Sequence, residues 1–581
     1  RVLLVIHTTD IEPPFERMIV KLLSVAFILY AVSHALNISI EAPTQSLNEG
    51  DAIQITVHLS NITTSQNITV WPFVNNKQWG CQVLLMKSSQ YTAVSLLPFP
   101  NAGIAKVVYA VLDEPQLPFP VGTSLSASKP VITSNVLTAE VSSKTFGKQT
   151  SSNHRVGMEW ESWFTLHNNR YDTAEAYPIV GRYDSFNVDV IKQHLIWFLF
   201  AGVDFLVVDW TNNLWGKQHW NERGLNIQEL CNATTTTIEV YSDALKSGKF
   251  ASVPKFVLLL GLDNGPTTTS TAINEELDWM YNNYVNNKSI SDDLWVVYDD
   301  KPLVVIFDGS NIHAKMSPPI SDDKFTIRYM TSQLQGNHFN EKGFWSWMDG
   351  TIEPLPTFYG EKAEALTTTV AFFEGGGWLS PKAKGRLSGW TFLKEMQTAL
   401  HYQPLFMLVN QWNEYAGQKE GQGYGPNHDV YVDCYNVELS NDIEPTSQSA
   451  CAYRGCGGWG FYYLNLLHAL IEFYHAPTSS EIAVMAMSSP KPNQNINTTS
   501  IPVVWTSVGF SGYFDIYIDG VLKGSTTGSS FNIEVTKKGT GVSEIVLEAR
   551  GKKTPYALSS TTMDKYDPAP LQVKRYVLIN L

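Results

Sequence analysis

Charge is what this chain has least of. Asp, Glu, Lys and Arg make up 17% of its 581 residues, against about 25% in an average globular protein. The basic side is the poorer, with 41 Lys+Arg against 55 Asp+Glu and a net charge of −14. A nucleic-acid binder needs the opposite balance to neutralise phosphates, so nucleic acid is excluded as a partner. Cysteine is scarce too. The five (Cys81, Cys231, Cys434, Cys451, Cys456) include no Cys-x-x-Cys pair, and no His pair at ligand spacing accompanies them. That argues against a zinc site, and no metal is expected among the catalytic groups. No run beyond the N-terminal region approaches 18 uninterrupted apolar residues, so the mature chain should hold no membrane span. No Gly-x-Gly-x-x-Gly follows the early apolar strands, which removes the nucleotide-binding form of an open sheet, and no cofactor is expected.

Aromatic side chains are plentiful: they reach 12%, within an apolar content of 44%. Disorder is thereby excluded, and the chain can bury large cores. A chain of this length exceeds one ordinary domain of roughly 100–200 residues. Met18 and Lys21 precede the apolar run Leu22 to Val32, and Ser33-His34-Ala35 follows. Basic, apolar and small residues in that order predict a secretory signal peptide cleaved after Ala35, with residues 1–17 an upstream extension. Asn-x-Ser/Thr sequons at Asn37, Asn61, Asn67, Asn232, Asn287 and Asn497 fit a secreted, extracellular or secretory-lumen glycoprotein. Cys434, Cys451 and Cys456 crowd one window and predict one disulfide there, the odd count leaving at least one thiol over or paired between chains.

Residues 36–146 show short β-rich runs between turn clusters and predict an N-terminal β-sandwich of immunoglobulin-like type. Residues 154–475 alternate continuous apolar runs with helical stretches. Val156 to Glu161, Gly202 to Asp209, Lys255 to Asp263, Pro302 to Asp308, Phe325 to Tyr329, Gly343 to Asp349, Leu366 to Phe372 and Pro404 to Asn410 are eight predicted strands. Such runs imply a parallel sheet buried on both faces, and eight of them favour an α/β (β/α)8 TIM barrel over a doubly wound sheet. Residues 501–581 are again all-β. Their Asp519-Gly520 signals a hairpin within a C-terminal, fibronectin-like sandwich.

Barrel active sites form where the strands end, and these ends are acidic: Glu159 and Glu161, Asp209, Asp263, Asp308, Asp349, then Glu374 and Glu414. Glycoside hydrolysis needs two carboxylates, one protonated and one ionised. Fourteen of the 17 tryptophans lie between 154 and 475. Trp163, Trp210, Trp345, Trp347 and Trp412 stand beside the acids. Flat rings stack on the apolar faces of sugars, while Asp, Asn, Gln and indole N–H serve the hydroxyls. Trp197 and Trp279 fall inside helices and belong to the core.

Three segments carry a family resemblance: Pro178-Ile-Val-Gly181-Arg-Tyr183-Asp184, then Gly202-Val-Asp-Phe-Leu-Val-Val-Asp209-Trp210, then Asn410-Gln411-Trp412-Asn413-Glu414. In order and spacing, residues 155–420 resemble glycoside hydrolase family 99 and the related family 71 barrels. Those proteins end in an Asn-Glu-Trp-x-Glu segment, whose two glutamates carry acid and base roles in family 99. The second corresponds to Glu414; the first corresponds to Gln411, which cannot act as a base. The resemblance therefore implies Glu414 as general acid, with a partner carboxylate from another strand. Asp209 and Asp349 stand first for that role, and Glu161 and Asp263 next. Substrate contacts are expected from Glu161, Trp163, Trp210, Asp263, Asp308, Trp345, Trp347, Gln411, Trp412, Asn413 and Tyr415.

The expected function is hydrolysis of a glycan or polysaccharide, with carbohydrate as the partner. The alternative is a non-catalytic, extracellular carbohydrate-binding protein on a degenerate barrel, motivated by Gln411. The oxygen-rich segment Asp429 to Pro445 admits a structural Ca²⁺, although its spacing is not that of an EF-hand loop. Oligomeric state is left open.

Overall fold

The computed structural model describes residues 37–60, 67–85, 91–112, 121–147, 153–165, 170–211, 215, 227–264, 267–332, 343–476, 484–491, 494–510, 512–535, 540–551 and 572–580. The expected signal segment, its upstream extension and the Asn61 sequon lie outside them.

The centre of the molecule is one sheet. Its eight parallel strands are β1 (Arg155–Glu161), β2 (Phe205–Asp209), β3 (Lys255–Asp263), β4 (Lys301–Asp308), β5 (Thr326–Thr331), β6 (Trp345–Ser346), β7 (Lys362–Thr369) and β8 (Phe406–Asn410). They lie in the order β6-β5-β4-β3-β2-β1-β8-β7, so β1 pairs with both β2 and β8 and the sheet curls back on itself. The ladder is interrupted between β6 and β7. Side chains span that gap: the Thr367 hydroxyl donates to the Ser346 carbonyl, and Trp345 Nε1 donates to Glu364 at 2.9 Å. The result is a nearly closed, barrel-like sheet, with strands where the apolar runs predict them.

Helices cover one side. They are α1 (Val188–Ala201), α2 (Ile227–Lys246), α3 (Ser270–Met280), α4 (Trp390–Tyr402) and α5 (Tyr462–His475). The first three fill the gaps from β1 to β4, α4 precedes β8, and α5 follows it. Between β4 and β7 the described residues contain no α-helix. The start of α1 is set by Asn187, whose side chain accepts from the N–H groups of Asp189 and Val190, and its end by Gly202 at φ 87°.

Alternation along each strand separates two cores. Phe205 and Val207, Val257 and Leu259, Leu303, Val305 and Phe307, Phe406 and Leu408 point inward and fill the barrel. Leu206 and Val208, Leu258 and Leu260, Val304 and Ile306, Met407 and Val409 point outward against the helices. Both faces are apolar because both are covered. Gly157 has no room for a side chain: a Cβ there would sit 2.4 Å from the Phe205 ring.

Two β regions flank the sheet. Before it, a three-stranded sheet (Asn37–Glu41, Ala52–Ser60, Tyr91–Pro98) faces a seven-stranded one built around Gly103–Leu112. Its core runs without interruption into the outer layer of the barrel. Gly80 and Cys81 donate to the carbonyls of Val180 and Ile179 at 2.8 and 3.0 Å. After it, sheets of three and five strands enclose a separate core around Trp505, Ile516 and Leu547. Asp519 and Gly520, at φ 49° and 77°, form the predicted tight turn between Gly512–Ile518 and Val521–Thr526. The predicted disulfide joins Cys451 to Cys456, while Cys81, Cys231 and Cys434 are buried thiols. Among the described residues no helix is long and apolar enough to cross a membrane.

Candidate active site

Strand parity and register assemble the site. Gly157, Glu159 and Glu161 share the inward face of β1 because side chains two apart point the same way. In the β1–β2 ladder Glu161 lies directly opposite Asp209, the inward-facing end of β2. Oxygens of Glu159, Glu161 and Asp209 come within 4.8 Å of one another, and all three residues are buried. They form the floor of a cavity of about 440 Å³, whose wall also carries Trp163, Trp347, Phe307, Phe373, Tyr424, Glu414 and Asp433. Gly261 of β3 lets Thr211 approach: a Cβ at 261 would sit 2.3 Å from the Thr211 carbonyl oxygen.

The acids have different surroundings. Glu159 is tied down, accepting from Trp347 Nε1 at 2.7 Å and from the Asn410 side chain. Glu161 is clamped through its backbone. Its N–H donates to Asn413 Oδ1 at 2.8 Å, and its carbonyl accepts from Asn413 Nδ2 at 3.1 Å. Its carboxyl Oε2 is buried and has no hydrogen-bond donor. Burial raises the Glu161 carboxyl well above the usual range, and the charges of Asp209, Glu159 and Glu414 add to this. Burial also raises Asp209, opposed by the Thr211 N–H at 2.6 Å, a hydrogen bond with Glu161 and the charge of Arg170. Asp209 thus has a backbone donor opposing its burial, which the Glu161 Oε2 atom lacks. Arg170 lies with its guanidinium 3.6 Å from the centre of the Trp163 ring.

Glu414 faces the cavity from the segment after β8. Asp442 holds that segment, accepting from the N–H groups of Glu414 and Tyr415 at 2.6 and 2.9 Å. The Glu414 carboxyl accepts from Gln411 Nε2 and from the Cys434 thiol at 3.3 Å. Burial raises it well above the usual range, and Asp433 and Asp442 raise it further. Gly417 permits the Cys434 loop to close in, since a Cβ there would sit 2.1 Å from the Cys434 carbonyl oxygen.

Of the expected residues, Asp209, Glu414, Glu161, Trp163 and Trp347 line one cavity. Gln411 and Asn413 stand behind it, holding Glu414 and the end of β1. The others are placed elsewhere. Asp308 follows the outward Val304 and Ile306. It accepts from the N–H groups of Ile312 and His313 and from His313 Nδ1 at 2.6 Å, so it caps a turn. Asp349 is buried beside the Ser346 hydroxyl, 3.1 Å away, and does not line the cavity. Asp263 accepts from the Thr267 hydroxyl across a bulge. Trp210 points outward and donates to Thr234 at 3.0 Å. Trp345 faces inward but sits low, in the barrel core. Trp412 and Tyr415 are fully buried, Trp412 packing 4.5 Å from Phe198.

No periodicity or motif singled out Asp433, Tyr424 and Phe373, which reach the cavity from loops. Trp378 braces two of them, packing on Phe373 and donating to the Asp433 carbonyl at 2.5 Å. In the oxygen-rich segment three acids meet protein donors. Asp442 holds the two N–H groups above, Glu438 accepts from the Leu387 N–H, and Glu444 binds His194 Nε2 and the Tyr183 hydroxyl.

No model of a known protein family matches the chain, and no curated protein matches it. Similar solved structures include a GH99 endo-alpha-mannosidase from Bacteroides thetaiotaomicron, at TM-score 0.39 and 13% identity over 57% of this chain and 100% of that one. An FMN-binding beta-glucuronidase from Faecalibacterium prausnitzii gives TM-score 0.34 and 10% identity over 94% of this chain and 74% of that one. A glycoside hydrolase-like protein gives TM-score 0.34 and 12% identity, covering 56% and 95%.

Proposed function

We propose that the chain is a secreted glycoside hydrolase: a (β/α)8 barrel over residues 154–475 between β-sandwich domains at 36–146 and 501–581. The observation that carries this reading is the shared cavity, where the Glu161–Asp209 pair and Glu414 stand among aromatic rings. Glu414, kept protonated by burial and by its acidic neighbours, donates its proton to the glycosidic oxygen. Asp209, the anionic member of its pair, attacks the anomeric carbon or takes a proton from the attacking water. Trp163 and Trp347 offer rings to the sugar. Export is supported by the signal-like segment at 18–35 and by sequon asparagines Asn37, Asn67, Asn232 and Asn497, all exposed.

One observation favours a second reading, a sugar-binding barrel without catalysis. The Gln411 amide occupies the position beside Glu414 where the family 99 segment has the first of its two glutamates. A panel of reducing-end assays on neutral, amino and acidic glycans separates the two. Hydrolysis that disappears in Glu414→Gln, with glycan binding retained, supports catalysis. Binding without cleavage by the parent chain supports the second reading, and unchanged turnover in Glu414→Gln removes that residue from the mechanism.

A further inference from the structure

The cavity wall is one-sided in charge. Five carboxyl groups and five aromatic rings line it, and among the described lining residues there is no Lys, Arg or His. A uronate or sulfate entering there would meet five acids among the described lining residues, with Arg170 behind the Trp163 ring rather than on the wall. A group with positive charge would meet two favourable chemistries at once: carboxylates, which form the strongest hydrogen bonds to cations, and ring faces, which attract cations through their quadrupoles. The Glu161 Oε2 atom marks where such a group belongs, because it is buried on the cavity floor with no donor. The fold already uses this pairing next door, where the Arg170 guanidinium stacks on Trp163 at 3.6 Å and its charge acts on Glu161 and Asp209.

From this geometry we infer that the site selects a sugar bearing a free, protonated amine, a hexosamine unit, and rejects uronic-acid and sulfated glycans. The ammonium sits between Glu161 and the Asp433 side of the wall, over the rings. That the ligand is a sugar rests on the glycosidase reading; the amine selectivity rests on the wall alone. Acids held protonated by burial ionise when the ammonium arrives, so binding releases protons to the buffer.

Calorimetry on the full chain tests this with four tetrasaccharides: glucosamine, N-acetylglucosamine, glucose and galacturonate. It is run at a mildly acidic pH, below the pKa of a sugar amine, whose neighbouring oxygens hold it well under the Lys range. The glucosamine tetramer is expected to bind about tenfold tighter or more than its acetylated counterpart. Its affinity should fall with added salt and in Asp433→Asn, and its heat should vary with buffer ionisation enthalpy. Equal affinity for the acetylated, neutral or acidic tetramers overturns the inference, and so does absence of glucosamine binding. Tight glucosamine binding by a chain that cleaves none of the four keeps it, and counts against catalysis instead.

Discussion

Two sets of acids end the parallel strands of one sheet, and they have opposite surroundings. On the β1–β2 side, Glu161 has a buried carboxyl oxygen with no donor, and its carboxyl is hydrogen-bonded to that of Asp209. On the β4 side, Asp308 accepts from two backbone N–H groups and a histidine. Desolvation acts on both sets. Donors decide the outcome: His313 and the N–H groups hold the Asp308 carboxyl below the usual range despite its burial, whereas Glu161 is pushed up. A strand-end acid supplied with donors is a structural device. One left without them retains a proton that it can trade.

The largest expected effect breaks the comparison at its functional end. Asp209→Asn should lower kcat by about 10⁴-fold, as for removal of one member of a catalytic set, while Asp308→Asn leaves kcat per folded molecule near the parent value. Comparable losses in the two variants would abolish the distinction. The next effect is on stability. Asp308→Ala strips three hydrogen bonds and should cost about 1–3 kcal/mol, read as a drop in denaturant midpoint. The sign with pH follows from its lowered pKa. The Asp308 contribution is present above the unfolded-state pKa and is lost as pH falls through the folded one. The acid limb of the stability profile should therefore flatten in Asp308→Ala.

Asp433→Asn sharpens the comparison within the cavity. Glu414 acts as an acid only while protonated, so activity falls as pH rises through its raised pKa. Removing the neighbouring charge lowers that pKa, and the basic limb of kcat against pH should move to lower pH. A limb that stays in place would assign it to another group. The smallest effect is expected from Asp349→Asn, which keeps the shape beside Ser346. It should change stability by about 0.5–1.5 kcal/mol and leave kcat/KM unaltered, measured on the glycan that the parent cleaves.

Much of the sheet was legible along the chain. The run Lys255 to Asp263 reads as a strand and is one, and all eight apolar runs find places in the same sheet. Which acids matter was legible only in part. In a strand covered on both faces, inward and outward residues are equally apolar, so the letters carry no alternation to read. Asp209 and Asp308 each end such a run. Only the packing reveals that Asp209 follows the inward Phe205 and Val207, while Asp308 follows the outward Val304 and Ile306. Trp345 and Trp347 share the inward face yet differ in height, which the two-residue spacing alone does not convey. Asp433 and Tyr424 come from loops that no periodicity governs.

The sequence by itself determined the class of strands, their number, their acidic ends and the concentration of tryptophan around them. Local chemistry was enough for that, because apolar runs, turn residues and helix caps act over a few positions. Only the tertiary structure decided that Glu161 lies opposite Asp209 and that Glu414 closes over the same space. It also decided that Asp349 and Trp210 are spent elsewhere. The register between neighbouring strands and the side of the sheet each residue takes are set by packing against distant parts of the chain.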